Sequence, residues 1–312
     1  MAGEDRQTWI KIGATLAIIA LDAVWIVLSD FTFDFAATAK VAGIVAFLFA
    51  LGLFYRFRRP MKNFEVMCVE TAILLGFSAA AAVFSYLLTS LNYPLVDDVL
   101  VRADKAFGFD WLAYVGFVSE RPWLAKLSKL IYATNITQMA LVVVVLGLTG
   151  RLVRSRQLVS AVILSGTACV VLAGFVPSAG AVAHFSPPDS FFASGQPIVS
   201  VAYMQEFYDI RSGVSRLISL DRVQGLVSFP SYHGTMAVLI IICLWPLKYW
   251  RWPALAFNVA VLFATPVDGG HHLTDILGGV AIAFIAWHLA GRFAARLTQP
   301  SAQAVLPETA TA

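Results

Sequence analysis

The chain has 312 residues, of which 59% are hydrophobic and only 13% are charged. Soluble globular domains carry about 25% charged residues, so the composition excludes an ordinary soluble domain and indicates an integral membrane protein. The net charge of +3 is small. With no Gly-rich phosphate loop and no basic-aromatic platform in the sequence, we expect no nucleic-acid partner.

Apolar segments approaching the roughly 20 residues that a membrane-spanning helix needs recur along the chain. Lipid offers no partner for backbone N–H and C=O groups, so each segment is predicted to be a helix and the fold class all-α, a polytopic membrane helix bundle. The first segment lacks a small-residue cleavage site and is interpreted as a retained helix. The eight predicted spans are 8–29, 36–56, 65–90, 130–149, 157–177, 229–247, 252–267 and 271–291.

Basic residues in the connectors give the predicted orientation, because cytoplasmic loops carry an excess of Lys and Arg. With eight spans they all fall on one side, together with both termini. The residues are Arg6, Lys11, Arg56, Arg58, Arg59, Lys62, Arg151, Arg154, Arg156, Lys248, Arg251, Arg292 and Arg296. In a bacterial inner membrane, which we take as the location, the opposite loops face the periplasm.

Three parts are predicted along the chain: an N-terminal transmembrane hairpin (1–64), a membrane core (65–293) and a disordered cytoplasmic tail (294–312). Two outer segments, 91–129 and 178–228, are long and mix apolar with charged residues. They are predicted either to form short helices along the membrane interface or to serve as connectors. Long loops in compact proteins often carry function.

Two polar motifs interrupt the apolar pattern: "SFPSYHGTMA" around His233 and "DGGHHLTDILGG" around His271. The first lies at the outer end of span six and the second at the outer start of span eight, so the topology brings them to the same depth. His271 and Asp275 are four residues apart and share a helix face. The carboxylate of Asp275 is therefore placed to fix the tautomer of His271 and leave the other nitrogen as a nucleophile or base.

These residue types suit phosphoryl transfer through a covalent histidine intermediate. His271 attacks phosphorus, Asp275 orients the ring, and protonated His233 donates to the leaving oxygen. Free N–H groups at a helix start favour an anion, and Gly270 and Ser231 stand at two such starts. No metal or cofactor is required if cations and N–H groups hold the phosphate oxygens.

Three other interpretations stay open for the same residues. Ionisable groups in spans serve as proton relays or ion paths, His233, His271 and Asp275 are also ordinary zinc ligands, and buried histidines often only satisfy hydrogen bonds in the core. His272 points about 100° away from His271 on a helix, so it is interpreted as a supporting or packing residue.

"FPSYH" followed by "GGHHLTD" resembles the type 2 phosphatidic acid phosphatase superfamily, and more closely its inositol phosphorylceramide synthase-like (inositolphosphotransferase) branch. The Pro-Ser-x-His and His-x3-Asp signatures match at Pro230, Ser231, His233, His271 and Asp275. The stretch "KLIYATNITQ" also looks like one found in bacterial members of that branch. The resemblance covers roughly 95–291 and implies a six-helix phosphatase-like core, the roles just given and no cofactor.

The sequence departs from the phosphatase pattern in its cations. The Lys-x6-Arg-Pro segment is missing, and the Ser-Arg pair usual before the second histidine is Ala264-Thr265. The phosphate-binding cation is therefore unidentified, and Arg211 is the first candidate. Tyr132, in the outer half of span four, is a candidate for lining the pocket or for packing.

The predicted function is an integral-membrane lipid phosphatase or phosphotransferase that cleaves a phosphoester of a lipid substrate at the periplasmic face. The alternatives are a headgroup transferase of the inositol phosphorylceramide synthase type and, in a different class, a non-catalytic lipid-binding protein or a transporter. Neither the lipid substrate nor the oligomeric state follows from the sequence.

Overall fold

A computed structural model describes residues 2–199 and 201–298. These residues are almost entirely helical, which confirms the predicted all-α polytopic bundle. The α-helices in them are α1 (Ala2–Val27), α2 (Phe35–Phe57), α3 (Lys62–Thr89), α4 (Asp97–Ala106), α5 (Trp111–Ser119), α6 (Pro122–Ala133), α7 (Asn135–Leu148), α8 (Leu152–Phe175), α9 (Ala181–Phe185), α10 (Val201–Ser212), α11 (Tyr232–Leu244), α12 (Arg251–Asp268) and α13 (Leu273–Thr298). A parallel ladder pairs β1 (Thr32–Phe33) with β2 (Leu217–Ile218).

Five of the described helices, α1, α2, α3, α8 and α13, are long and apolar enough to cross a membrane. The pair α6 and α7 gives a sixth span if it counts as one, although it bends by 48°. The segments predicted as spans six and seven form the shorter helices α11, with 13 residues, and α12, with 18 residues. By length and composition, the described residues thus provide five or six spans.

The fourth predicted span, 130–149, is broken at Thr134. The Thr134 hydroxyl donates a hydrogen bond of 2.7 Å to the carbonyl of Ile131, and the Thr134 N–H also bonds that carbonyl at 3.2 Å. A threonine that takes up a nearby backbone carbonyl competes with the regular helix ladder and bends the chain. The prediction of one continuous helix was wrong here because apolarity alone does not register this local competition.

Helices α3 and α8 form the middle of the bundle. Helix α3 packs against α1, α2, α7 and α8, while α13 packs against α8 and α11. Their shared core is apolar and almost fully excluded from solvent, with Phe77 and Leu158 among its largest side chains. This core includes residues of α11 and of α13, so it packs the two helices that follow the histidine motifs against α3 and α8.

The N-terminal helix is tied to this core by polar contacts. The Lys11 ammonium pairs with the Glu70 carboxylate on α3, and both side chains are buried. Gln7 donates to the Ser160 hydroxyl on α8 at 3.1 Å.

That residues 1–64 form a separate domain stays a prediction. Of the predicted tail, 294–298 complete α13, and 299–312 lie outside the described residues.

The two long outer segments form short helices at the end of the bundle where α11 and α13 begin, which we call the site end. The first contains α4, α5 and most of α6, and the second contains α9 and α10. The Trp111 indole donates to the Pro266 carbonyl at 3.0 Å, and the Tyr114 hydroxyl donates to the Phe263 carbonyl at 2.8 Å. These bonds hold α5 against the last turns of α12.

Candidate active site

Helix α11 begins with a capped turn that carries the first histidine. Ser231 is the N-cap, with an extended backbone, and its hydroxyl oxygen accepts the N–H of Gly234 at 3.3 Å. Serine is among the best N-cap residues because its oxygen satisfies one of the free N–H groups of the first turn. The cap places half-buried His233 in the first turn of the helix.

Helix α13 is preceded by a tight turn that carries the second histidine. Gly270 has a φ of +63°, and a β-carbon on it would collide with the Val182 side chain. Glycine fits this position because it adopts a positive φ at low cost and has no β-carbon that would collide with Val182. The Gly270 carbonyl also accepts the N–H of Val182 at 3.3 Å, so this predicted substrate-binding residue supports the turn, and it does not line the cavity described below.

His271 and Asp275 form a buried pair. Nδ1 of His271 lies 3.2 Å from Oδ2 of Asp275, and the same oxygen accepts the His272 N–H at 2.9 Å and the Ser228 hydroxyl at 3.3 Å. A carboxylate oxygen only accepts, so the His271 proton sits on Nδ1 and the lone pair on Nε2. This is the tautomer that a nucleophilic Nε2 requires.

The structure brings the two histidine motifs into direct contact. Nε2 of His271 lies 3.4 Å from the Ser231 hydroxyl, and the Ser231 N–H donates to the Asp275 carbonyl at 2.9 Å. The backbone of Gly279 lies so close to the Ser231 carbonyl that a β-carbon there would overlap it. The close approach of α11 and α13 thus depends on a residue without a side chain.

His233 is held by Tyr132 from α6. The two rings stack with centroids 4.4 Å apart and planes 22° apart, and the tyrosine hydroxyl lies 3.2 Å from Nδ1 of His233. Tyr132 is only 4% exposed. The break at Thr134 follows two residues later, so the bend between α6 and α7 positions this ring.

Both histidines line one cavity of about 630 Å³. Its wall continues along α3 from Ser85 to Leu74, and along α7 and α8 through apolar residues such as Met139 and Val170. The helical rise from Leu74 to Ser85 is roughly 16 Å, about half of the roughly 30 Å hydrocarbon layer. In the part of the chain that the structure describes, no Lys, Arg, Asp or Glu lines this cavity.

Arg211 is not brought to the cavity with the histidines. Its Nη2 donates to the Tyr93 carbonyl at 2.7 Å, and its guanidinium lies 5.3 Å from the Phe207 ring centroid. Its role as a phosphate ligand stays a prediction.

Among the described residues, no group of three or more His, Cys, Asp and Glu side chains is arranged to hold a metal ion.

Two carboxylates that contact the ring nitrogens of His272 were not predicted from the sequence. Nδ1 of His272 lies 3.3 Å from Oδ2 of Asp104, and Nε2 lies 3.4 Å from Oδ1 of Asp97, an ion-pair distance without good hydrogen-bond geometry. Burial lowers the pKa of His272, but the two carboxylates outweigh burial and raise it to about 9. The available signal was the seven-residue spacing of Asp97 and Asp104, which puts both on one face of α4.

The backbone N–H groups at the start of α13 are occupied. Those of Leu273 and Thr274 donate to Asp104 at 3.1 and 2.8 Å, and that of His272 donates to Asp275. From the sequence we expected free N–H groups here that could bind a phosphate. Carboxylates take that place because they are the usual anions at a helix N-terminus.

Comparison with known protein families matches residues 98–289 to a family described as the PAP2 superfamily. The matched region includes both histidine motifs and Asp275. No match to the chain is found among curated proteins or among solved structures.

Proposed function

Because the chain belongs to the PAP2 superfamily, a family of phosphatase-type membrane proteins, we propose that it is an integral-membrane enzyme that cleaves a phosphoester of a lipid through a phosphohistidine. The observation that carries this proposal is that His271, which is paired with Asp275 and in contact with Ser231, lines the same apolar cavity as His233. Fold likeness alone does not assign chemistry, whereas this arrangement supplies a nucleophile, its orienting group and an acid.

In the first half-reaction, the Nε2 lone pair of His271 attacks phosphorus and forms a P–N bond. The bond between phosphorus and the leaving oxygen breaks, and His233, which this step requires to be protonated while the anionic phosphate is bound, gives its proton to that oxygen. Asp275 stabilises the positive charge that develops on the His271 ring. A histidine that a neighbouring carboxylate orients is thus used as the nucleophile of covalent catalysis.

In the second half-reaction, neutral His233 takes a proton from water or from an alcohol. The resulting oxygen attacks phosphorus, the P–N bond breaks, and His271 returns to its starting tautomer. Water gives hydrolysis and an alcohol gives headgroup transfer. The two activities share every residue of the first step.

The substrate we propose is a membrane lipid, with its phosphate at the histidines and its tail in the cavity. Support comes from the apolar wall along α3, which runs from Ser85 to Leu74 and so extends through about one leaflet. Ser231 adds a hydroxyl beside Nε2 of His271 for a phosphate oxygen.

Headgroup transfer on a phosphodiester is a second candidate, favoured by one observation. The described lining of the cavity contains no Lys or Arg. Moving an unpaired charge out of water is costly, so a diester with one negative charge fits this lining better than a monoester with two.

The active site is proposed to face the periplasm, on the grounds of the positive-inside rule. The three native cysteines are buried, so a single new cysteine reports sidedness. A cysteine replacing Glu120, which is 75% exposed beside α5, should react with a membrane-impermeant thiol reagent in intact cells. A cysteine replacing exposed Arg59, at the opposite end, should react only after the cells are opened, and the reverse pattern contradicts the proposal.

The test of function is a product analysis by mass spectrometry. Purified wild type, His271→Ala and the control His288→Gln, an exposed residue of α13, receive mixed phospholipids with and without diacylglycerol or ceramide. Phosphate release that requires His271 identifies a phosphatase, and a new headgroup-bearing lipid identifies a transferase. If no lipid yields a product that requires His271, the proposal fails and a transport or lipid-binding role takes its place.

A further inference from the structure

A buried carboxylate–imidazole–carboxylate cluster lies directly beside the candidate nucleophile. His272 is fully buried, and its two ring nitrogens face Asp104 at 3.3 Å and Asp97 at 3.4 Å. Both carboxylates belong to α4, a short helix at the site end that the proposed reaction does not use. Buried charged side chains are rare unless they are paired, so we asked what this cluster contributes to the site.

Helix α4 holds both segments that frame the turn carrying His271. Asp104 accepts the N–H groups of Leu273 and Thr274 and the Thr274 hydroxyl, the last at 2.6 Å. Seven residues earlier, Asp97 accepts the Ser178 hydroxyl at 2.8 Å and the N–H groups of Ala179 and Gly180 at 3.1 Å. The two carboxylates therefore connect the start of α13 to the segment before α9.

That segment in turn contacts the turn from its other side. The Val182 N–H donates to the Gly270 carbonyl at 3.3 Å, and a β-carbon on Gly180 would lie 3.0 Å from the same carbonyl. Residues 270–274 are thus fixed by Asp104 at one end and by the α9 segment at the other. Displacement of α4 would release both.

We propose that His272, held between Asp97 and Asp104, is a positioning residue that sets the geometry of the His271–Asp275 pair. The inference rests on the proposed function, because it assigns His272 a role in the same reaction. The link is direct: the His272 N–H donates to Oδ2 of Asp275 at 2.9 Å, and that oxygen also contacts Nδ1 of His271 at 3.2 Å. A shift of residue 272 therefore moves the orienting carboxylate itself.

The charge state of His272 follows from its surroundings. The titratable groups that face it are Asp97 and Asp104 from α4, Asp275 from α13, and His184 from α9, whose ring centroid lies 6.2 Å away. A neutral imidazole has one N–H donor, whereas the imidazolium has two. Because both nitrogens lie within ion-pair distance of a carboxylate, the surroundings favour the protonated form of His272, in agreement with its raised pKa.

The test compares Asp104→Asn and His272→Gln with wild type and with the control His288→Gln on α13. Turnover is measured as kcat and KM on the lipid that the wild type converts. Loss of alignment acts on the chemical step, so we expect kcat to fall about 10- to 100-fold while KM changes less than about threefold. A purely structural role would lower the melting temperature and leave the kcat of the folded protein unchanged, which would overturn the inference.

A second readout does not need turnover. The chain has five histidines, so single substitutions assign the signals of ¹⁵N-histidine-labelled protein in detergent. We expect the His271 ring signals to shift in Asp104→Asn and in His272→Gln, and to stay in place in His288→Gln. If the wild type converts no lipid, the proposed function fails, and this readout alone decides: a shifted His271 supports the positioning role, and an unshifted one overturns it.

Discussion

Nε2 of His271 lies 3.4 Å from the hydroxyl of Ser231, although the two residues stand 40 positions apart. The same hydroxyl caps α11 through the N–H of Gly234. The Ser231 side chain thus caps α11 and also contacts the candidate nucleophile. The two contributions can be separated by choosing the replacement.

Ser231→Ala and Ser231→Gly remove the same hydroxyl with different effects on the cap. An alanine N-cap costs about 1 kcal/mol of stability, whereas glycine costs only a few tenths. If the hydroxyl binds a phosphate oxygen or steadies Nε2, both variants lose activity to a similar extent, about 10-fold, as expected for one lost hydrogen bond. Initial rates and thermal unfolding of both variants check this, and activity that follows stability instead would show that the cap alone matters.

The tautomer of His271 depends on Asp275, so Asp275→Asn is expected to lower kcat by up to about 10⁴-fold, the loss seen when the orienting carboxylate of a catalytic histidine is neutralised. An amide can donate to Nδ1 and so favours the wrong tautomer. Turnover assays on Asp275→Asn measure the effect. Asp98→Asn is the matched control, because Asp98 is a carboxylate of α4 whose side chain is 84% exposed, and its activity should equal that of wild type.

Most of the long helices of this bundle could be predicted from the long apolar segments of the sequence. The first three predicted spans, the fifth and the eighth correspond closely to α1, α2, α3, α8 and α13. Hydropathy succeeds there because lipid leaves a long apolar segment no alternative to a helix. It did not detect the break at Thr134, where a hydroxyl competes with the backbone, or the shortness of α11.

The candidate site was predictable only in part for a related reason. The spacing of His271 and Asp275 is local, so helix geometry alone puts them on one face. The partners of His272 are Asp97 and Asp104, which lie 175 and 168 positions earlier, and their meeting depends on how α4 packs over the site end. No periodicity in a single sequence encodes such a long-range pairing, which is why His272 was interpreted as a supporting or packing residue.

The apolar cavity leads to a prediction about substrate tails. Ala82 of α3 lines the cavity and is half-buried, while Ala79 of the same helix is half-buried and does not line it. Ala82→Leu should raise KM for a long-chain lipid several-fold and leave a short-chain, water-soluble phosphodiester unaffected, because only the long tail reaches the filled space. Ala79→Leu should change neither. A KM for the long-chain lipid that is the same in Ala82→Leu as in wild type would exclude a tail in this part of the cavity.

The His272 cluster makes stability depend on pH in a defined direction. The pKa of His272 is raised from an ordinary 6.5 to about 9 in the folded protein, so protonation stabilises the fold. This contribution, on the order of 3 kcal/mol, is fully present below pH 6.5 and is lost as the pH rises to about 9. Thermal unfolding in detergent at pH 6, 7.5 and 9.5 should show that decline in wild type.

His272→Gln should remove this decline, since glutamine does not titrate, and should be less stable than wild type at pH 6. The control His288→Gln should keep the wild-type profile. A wild-type melting temperature that is constant from pH 6 to 9.5 would contradict a protonated His272 between the two carboxylates.

The buried pair of Lys11 and Glu70 ties α1 to α3, and its two members should be strongly coupled. Lys11→Met leaves the Glu70 carboxylate buried without a partner, which typically costs 3–5 kcal/mol, whereas replacing both members with apolar residues is often neutral. We therefore expect Lys11→Met to unfold well below wild type and Lys11→Met/Glu70→Met to recover most of the loss. The exposed pair of Lys40 and Asp221 is the matched control, and Lys40→Met should leave the unfolding temperature close to that of wild type, because exposed ion pairs contribute little. If the double variant is as unstable as Lys11→Met, the two charges do not compensate each other, and α1 is held by its apolar contacts instead.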